Sequence, residues 1–161
     1  MIIILMGVSG AGKTTVGKLL ALDLGWTFYE GDDLHPRSNV VKMAQGIPLT
    51  DEDRWPWLDR IRLLIDNLVS RGESSVIASS ALKQAYRDQL VGDGDDVKLV
   101  YLKGEFPLIL ARLEGRQAHF MKSGLLESQF SAMEEPDGAV TMDITTAPED
   151  IVVAVKQALG L

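Results

Sequence analysis

Residues 2–6, Ile-Ile-Ile-Leu-Met, run directly into Gly7-Val8-Ser9-Gly10-Ala11-Gly12-Lys13-Thr14, and a helical apolar pattern takes over at Lys13. No other segment constrains the fold as tightly. A continuous short apolar run predicts a strand covered on both faces. The octet satisfies G-x-x-x-x-G-K-[ST], in which glycines let the backbone wrap an anion and aim several N–H groups at it. Val16, Leu19, Leu20 and Leu24 fall on one helical face, and Gly25 supplies a stop. Strand, loop and helix in that order form the context in which the motif cradles nucleotide phosphates. The helix dipole reinforces the amides, Lys13 reaches the β- and γ-phosphates, and the Thr14 hydroxyl is the candidate Mg²⁺ ligand. All eight positions, Gly7, Val8, Ser9, Gly10, Ala11, Gly12, Lys13 and Thr14, are therefore candidate ATP-binding residues.

The remaining pattern alternates strands with helices. Strands are expected at 27–30, 75–79, 97–102 and 140–144, and helices at 39–45, 82–90, 107–113 and 125–133. A long helix carries Trp57, Leu58, Ile61, Leu64, Ile65, Leu68 and Val69 as its apolar stripe, and a start capped near Asp53 puts Pro56 in its first turn. A capping box at Thr146–Glu149 opens the last helix, with Ile151, Val152, Val155 and Leu159 facing inward. This order predicts an α/β fold: a parallel sheet with helices on both faces, in a single domain spanning 1–161. Ligands of such sheets sit beyond the C-terminal strand ends.

Composition bounds the partners. The 161 residues carry a net charge of −7, which argues against a nucleic-acid surface while leaving room for a local basic site. The absence of cysteine excludes disulfides and thiolate zinc sites and fits the cytoplasm. No stretch reads as membrane-spanning, and the apolar N-terminus lacks the basic flank of a signal peptide.

Glu30-Gly-Asp32-Asp33-Leu-His35-Pro follows the second strand. Phosphoryl transfer to a hydroxyl needs a carboxylate that orients the acceptor and takes its proton. Asp32 is the first candidate and Asp33 the second, with Glu30 acting through water on Mg²⁺; a solvated acidic turn is the bland alternative. His35 either binds substrate or caps the turn before Pro36. Basic residues able to hold an anionic acceptor are Lys42, Arg54, Lys83, Arg87, His119 and Lys122. Arg54 would lie in the first turn of its helix against the dipole, either to pair with a substrate carboxylate or to pair with Asp51, Glu52 or Asp53. Arg112 and Arg116, four residues apart ahead of a polar segment, suit a mobile lid over the phosphates, at about residues 115–128, or else a charged helix C-terminus. Trp55 and Trp57 read as core packing. Ser79 and Ser80 stand where motor ATPases and GTPases carry a second metal-binding aspartate, which favours a small-metabolite kinase.

These segments resemble the gluconate kinase (gluconokinase) family. The resemblance rests on Met6–Thr14, Glu30–Pro36, Lys42-Met43 with Gly46–Leu49, Asp51–Arg54 with Pro56-Trp57-Leu58, Ser80–Lys83 with Tyr86-Arg87-Asp88, His119-Phe120-Met121, and Leu125-Leu126 with Ser128-Gln129-Phe130, and spans about residues 2–136. It implies a P-loop NTPase fold of the nucleoside-monophosphate-kinase and shikimate-kinase type. It also implies ATP- and Mg²⁺-dependent phosphorylation of D-gluconate at its 6-hydroxyl, in a cytoplasmic homodimer. By position, Lys13, Asp32 and Arg116 become the catalytic set and Arg112 joins the nucleotide site. The acceptor set is Asp32, His35, Lys42, Arg54, Lys83, Arg87 and His119, and residues 145–148 are positioned to touch adenine. Competing possibilities are a shikimate or nucleotide kinase and a non-catalytic ATP-binding module.

Overall fold

The computed structural model describes residues 1–115 and 123–161. Five strands form one parallel sheet: β1 (Ile2–Met6), β2 (Thr27–Glu30), β3 (Ser75–Ala78), β4 (Val97–Lys103) and β5 (Val140–Asp143), in the spatial order β2-β3-β1-β4-β5. Seven helices are described: α1 (Lys13–Leu24), α2 (Arg37–Ala44), α3 (Asp51–Ser70), α4 (Gln84–Val91), α5 (Phe106–Glu114), α6 (Ser123–Ala132) and α7 (Pro148–Leu159). A 3₁₀ turn at Gly31–Leu34, which hydrophobic periodicity does not predict, follows β2. None of the described helices is long and apolar enough to cross a membrane.

All five residues of β1 are fully buried, and the strand pairs with β3 on one side and β4 on the other. Alternate side chains of β1 enter opposite cores. Ile3 and Leu5 pack with Val16 and Leu20 of α1, Ile109 of α5 and Ile151 and Val155 of α7. Ile2, Ile4 and Met6 pack with Trp57, Leu58, Ile61 and Ile65 of α3 and with Tyr86 and Leu90 of α4. Strand order reverses around β1, so the loop that follows it opens at the switch point where a parallel sheet has its ligand crevice.

Two local expectations are corrected. α3 starts at Asp51, not near Asp53. Thr50 caps it, its hydroxyl accepting from the Asp53 N–H at 3.2 Å while Asp53 Oδ2 accepts from the Thr50 N–H at 2.9 Å. A reciprocal cap outweighs the local cost of Pro56, which now lies inside the helix and leaves one amide position without a donor. At α7 the N-cap is Ala147, with no side-chain cap. Thr145, rather than Thr146, makes the local bonds there, donating from its N–H (2.8 Å) and hydroxyl (2.7 Å) to Asp143 Oδ1. Trp57 meets the core expectation at 1% exposure, whereas Trp55 sits at the surface edge-on to Tyr86.

Gly31 fixes the acidic loop to the sheet. A Cβ at this position would come within 2.3 Å of the Ala78 carbonyl oxygen, and the Gly31 carbonyl accepts from the Trp57 indole at 2.8 Å. Because the obstructing atom is sheet backbone, Gly31→Ala is expected to cost about 2 kcal/mol or more of folding stability. Urea unfolding of this variant beside wild type measures it; equal midpoints would show that β2 and its turn can shift without penalty.

Candidate active site

The loop Gly7–Gly12 curls beneath a cleft of about 450 Å³ that also takes in Glu30, Asp32, His35, Arg54, Ser80 and Gln129. Gly12 turns the chain into α1 at φ 97°, a left-handed conformation that favours glycine. Lys13 folds back so that its Nζ donates to the carbonyls of Gly7 (3.0 Å) and Val8 (2.9 Å). The Thr14 hydroxyl donates to Glu30 Oε2 at 2.6 Å, bringing the expected metal ligand and the first acid of the loop after β2 into contact.

Across the cleft, a chain of polar contacts leads to Asp32. Asn39 of α2 is almost fully buried, and its amide donates to the Asp53 carbonyl at 2.8 Å. That bond orients the amide, so its second N–H faces His35 Nδ1 at 3.2 Å and the ring nitrogen accepts. The proton of the neutral imidazole therefore sits on Nε2, 3.8 Å from Asp32 Oδ1. The ring stacks on Trp57 with centroids 4.2 Å apart. Burial, partly opposed by Asp32 and reinforced by Arg54, lowers the His35 pKa to about 4. His35 thus faces Asp32 as a neutral ring, its Nε2–H toward the carboxylate but beyond hydrogen-bonding distance. Asn39 is a site residue that sequence reasoning misses; its one signal was an amide four residues after His35 on a short helix.

The candidate cations separate sharply. Arg54 reaches the cleft, and among the described residues no carboxylate lies within ion-pairing distance of it; its Nη1 donates to the Tyr86 hydroxyl at 3.3 Å. The acids beside it in sequence are otherwise engaged. Asp53 takes both Lys42 bonds at 2.8 Å, which with the Thr50 cap lower its pKa to about 2, and Asp51 takes Lys83 at 2.9 Å. Lys42 and Lys83 are thereby turned to these acids rather than to the cleft lining. Arg87 is not brought to the cleft at all. It is 1% exposed and donates to the carbonyls of Ala81 and Leu82, each at 3.0 Å. It thereby holds a loop in which Ala81 adopts φ 44°.

Arg112 lies on the other side of the P-loop, where its Nη2 donates to the Ile144 carbonyl at 2.6 Å. It borders a second cavity of about 340 Å³ shared with Gly10, Gly12, Thr15, Thr146 and Pro148. Arg116, His119 and Lys122, and with them much of the expected lid, lie outside the described residues. The described continuation, α6, meets the P-loop: Gln129 Oε1 accepts from the Ser9 N–H at 2.8 Å and its amide donates to the Ser9 hydroxyl at 3.1 Å. In the sequence Gln129 stands out only within the family segment at Ser128–Phe130, because a glutamine carries no chemical signal by itself.

A phosphate loop at the switch point of a parallel sheet, faced by a carboxylate and an arginine with no carboxylate partner among the described residues, defines a P-loop kinase. The family model described as "Shikimate kinase" matches residues 9–135. The chain is 42% identical to the probable gluconokinase of Mus musculus, covering 98% of this chain and 97% of that protein. It is 49% identical to the thermosensitive gluconokinase of Escherichia coli, over 83% of this chain and 71% of that one. The crystal structure of a gluconokinase from Sinorhizobium meliloti superposes with a TM-score of 0.87 at 42% identity, covering 98% of this chain and 90% of that one. The chain belongs to the gluconokinase family.

The depressed His35 pKa has a consequence for stability. Between pH 6.5 and about 4 the unfolded chain binds a proton at His35 that the folded chain refuses. Stability therefore falls as pH drops through that window, by at most about 3 kcal/mol, and is fully regained above it. Asp53 acts lower, its contribution being lost as pH falls from about 4 towards 2. Chemical denaturation from pH 7 to 4 is expected to show a decline that His35→Gln flattens; an unchanged slope in the variant would exclude His35 as its source.

Proposed function

We propose that this chain is a gluconokinase: it transfers the γ-phosphoryl group of ATP to the 6-hydroxyl of D-gluconate, giving 6-phospho-D-gluconate and ADP. The observation that carries this reading is the pairing, in one cleft, of a P-loop with an arginine that has no carboxylate partner among the described residues. Lys13 and the loop amides hold the phosphates, and the second cavity beside Arg112, Thr146 and Pro148 takes the base. Arg54 receives the gluconate carboxylate. Asp32, steered by the neutral His35 and its Asn39 support, orients the 6-hydroxyl. As the hydroxyl oxygen bonds to the γ-phosphorus and the bond to the β–γ bridging oxygen breaks, the hydroxyl proton passes to Asp32.

The residues fit Mg²⁺. Thr14 and Glu30 offer a hydroxyl and a carboxylate side by side next to the phosphate loop, and hard oxygen donors suit that ion. Bound there, it would offset charge on the phosphates. Arg116 and His119 complete the proposed set from the lid, and the family resemblance supports a cytoplasmic homodimer.

Coupled ADP detection with gluconate, shikimate and nucleoside monophosphates tests the reading; turnover on either of the latter with none on gluconate would overturn it, and ATP binding without acceptor-dependent ADP release would mark a non-catalytic module. Asp32→Asn is expected to lower kcat about 100-fold or more while leaving ATP affinity within about twofold. Unchanged turnover would remove Asp32 from the mechanism.

A further inference from the structure

Tyr86 lies on α4, outside the cleft lining, yet its hydroxyl is the hydrogen-bond partner of Arg54 at 3.3 Å. The ring is 1% exposed and packed in the core beneath α3. The hydroxyl also donates to Asp51 Oδ1, the same oxygen that accepts from Lys83 Nζ at 2.9 Å. A phenol has one proton. A carboxylate can only accept, so that proton points to Asp51 and only the lone pairs of the oxygen face Arg54. The direction of every bond in the set is thereby fixed: Arg54 to Tyr86, Tyr86 to Asp51, Lys83 to Asp51. Asp51 holds Lys83 directly, and among the described residues Arg54 has no carboxylate within ion-pairing distance, so its positive charge is left in excess.

From this arrangement we infer that Tyr86, with Asp51 and Lys83, is a positioning device for acceptor recognition: it aims the Arg54 guanidinium into the cleft through a neutral oxygen, so that its charge stays available to a carboxylate on the substrate. A carboxylate in place of the phenol would aim the arginine equally well but cancel it. A purely apolar ring would leave it unaimed and within the pull of Asp51. Ionisation states agree with the bond directions. The Tyr86 bond, followed by that of Lys83, lowers the Asp51 pKa; burial, followed by the Asp51 bond, raises that of Tyr86. The phenol stays protonated and the carboxylate ionised at neutral pH. Further ring contacts limit the freedom of both cations: Arg54 Cζ lies 5.7 Å and Lys83 Nζ 5.8 Å from the Tyr86 centroid. Lys83 thus serves the acceptor indirectly.

This inference rests on the gluconokinase reading, and gluconate-dependent ADP release by the wild-type chain checks that reading separately. Given that activity, Tyr86→Phe, which keeps the buried ring, is expected to raise KM for gluconate about tenfold while KM for ATP and kcat stay within about twofold. In an Arg54→Gln background the same substitution is expected to change KM for gluconate by less than twofold, because the residue through which Tyr86 acts is gone. An unaltered KM in Tyr86→Phe, or an equal effect in both backgrounds, would overturn the inference. Lys83→Met provides a second route at a partly exposed side chain. It leaves Asp51 uncompensated and free to draw Arg54 away, so KM for gluconate rises and KM for ATP does not; an unchanged KM for gluconate overturns the inference independently of how Tyr86→Phe folds.

Discussion

The burial of β1 is the constraint on which everything else depends. Each of its residues is buried, Ile2–Leu5 are paired on both edges and Met6 with β4, so the strand has no freedom to slide or tilt. The loop at its end therefore starts from a fixed point, and its glycine conformations hold the backbone there rather than in one of many loop states. Burying five large apolar side chains contributes on the order of 10 kcal/mol, and that hydrophobic term is what keeps a row of polar amides open to a charged ligand.

The facing wall of the cleft is built differently. Asp32, His35, Asn39 and Arg54 come from a 3₁₀ turn and its C-terminal flank, a short helix, and the opening turn of a long helix. None is anchored by the sheet directly. They are coupled to it through Gly31 against Ala78 and through the Trp57 indole, which bonds to Gly31 with one edge and stacks on His35 with its face. One buried tryptophan therefore sets both the height of the acidic loop and the plane of its histidine.

Much of this was legible in the sequence because the relevant signals are local. The apolar run, the glycine-lysine-threonine loop and the 3.6-residue stripes identify β1, α1 and α3 without tertiary information, and an acid after a parallel strand points to Asp32. Ranking the basic residues was not legible. Among Lys42, Arg54, Lys83 and Arg87 only Arg54 carried a local signal, its place against the helix dipole, and that signal left two readings open; what separates them is which partner the fold puts within 3 Å or so of each, and those partners lie 5 to 32 residues away. Asn39 and Gln129 were missed for the same reason. An amide gains meaning only from what its oxygen and nitrogen face. Helix starts shifted where one hydrogen bond decides between neighbouring candidates, as Thr50 does for α3.

The Thr14–Glu30 hydrogen bond joins two halves that otherwise draw on different elements. The phosphate loop and the cavity beside Arg112 draw on the loop after β1, α1, α5 and the segment before α7; the facing wall of the cleft draws on α2, α3 and the turn after β2, with Tyr86 of α4 bonded to Arg54. Such a division lets one half be remodelled while the other is conserved. On the proposed assignment, substitutions along the α3–α4 seam would retune which sugar acid is accepted, by changing how Arg54 is aimed, without disturbing the loop after β1. A scaffold partitioned in this way is well suited to diversification, and engineering of new acceptor preference has a defined place to begin.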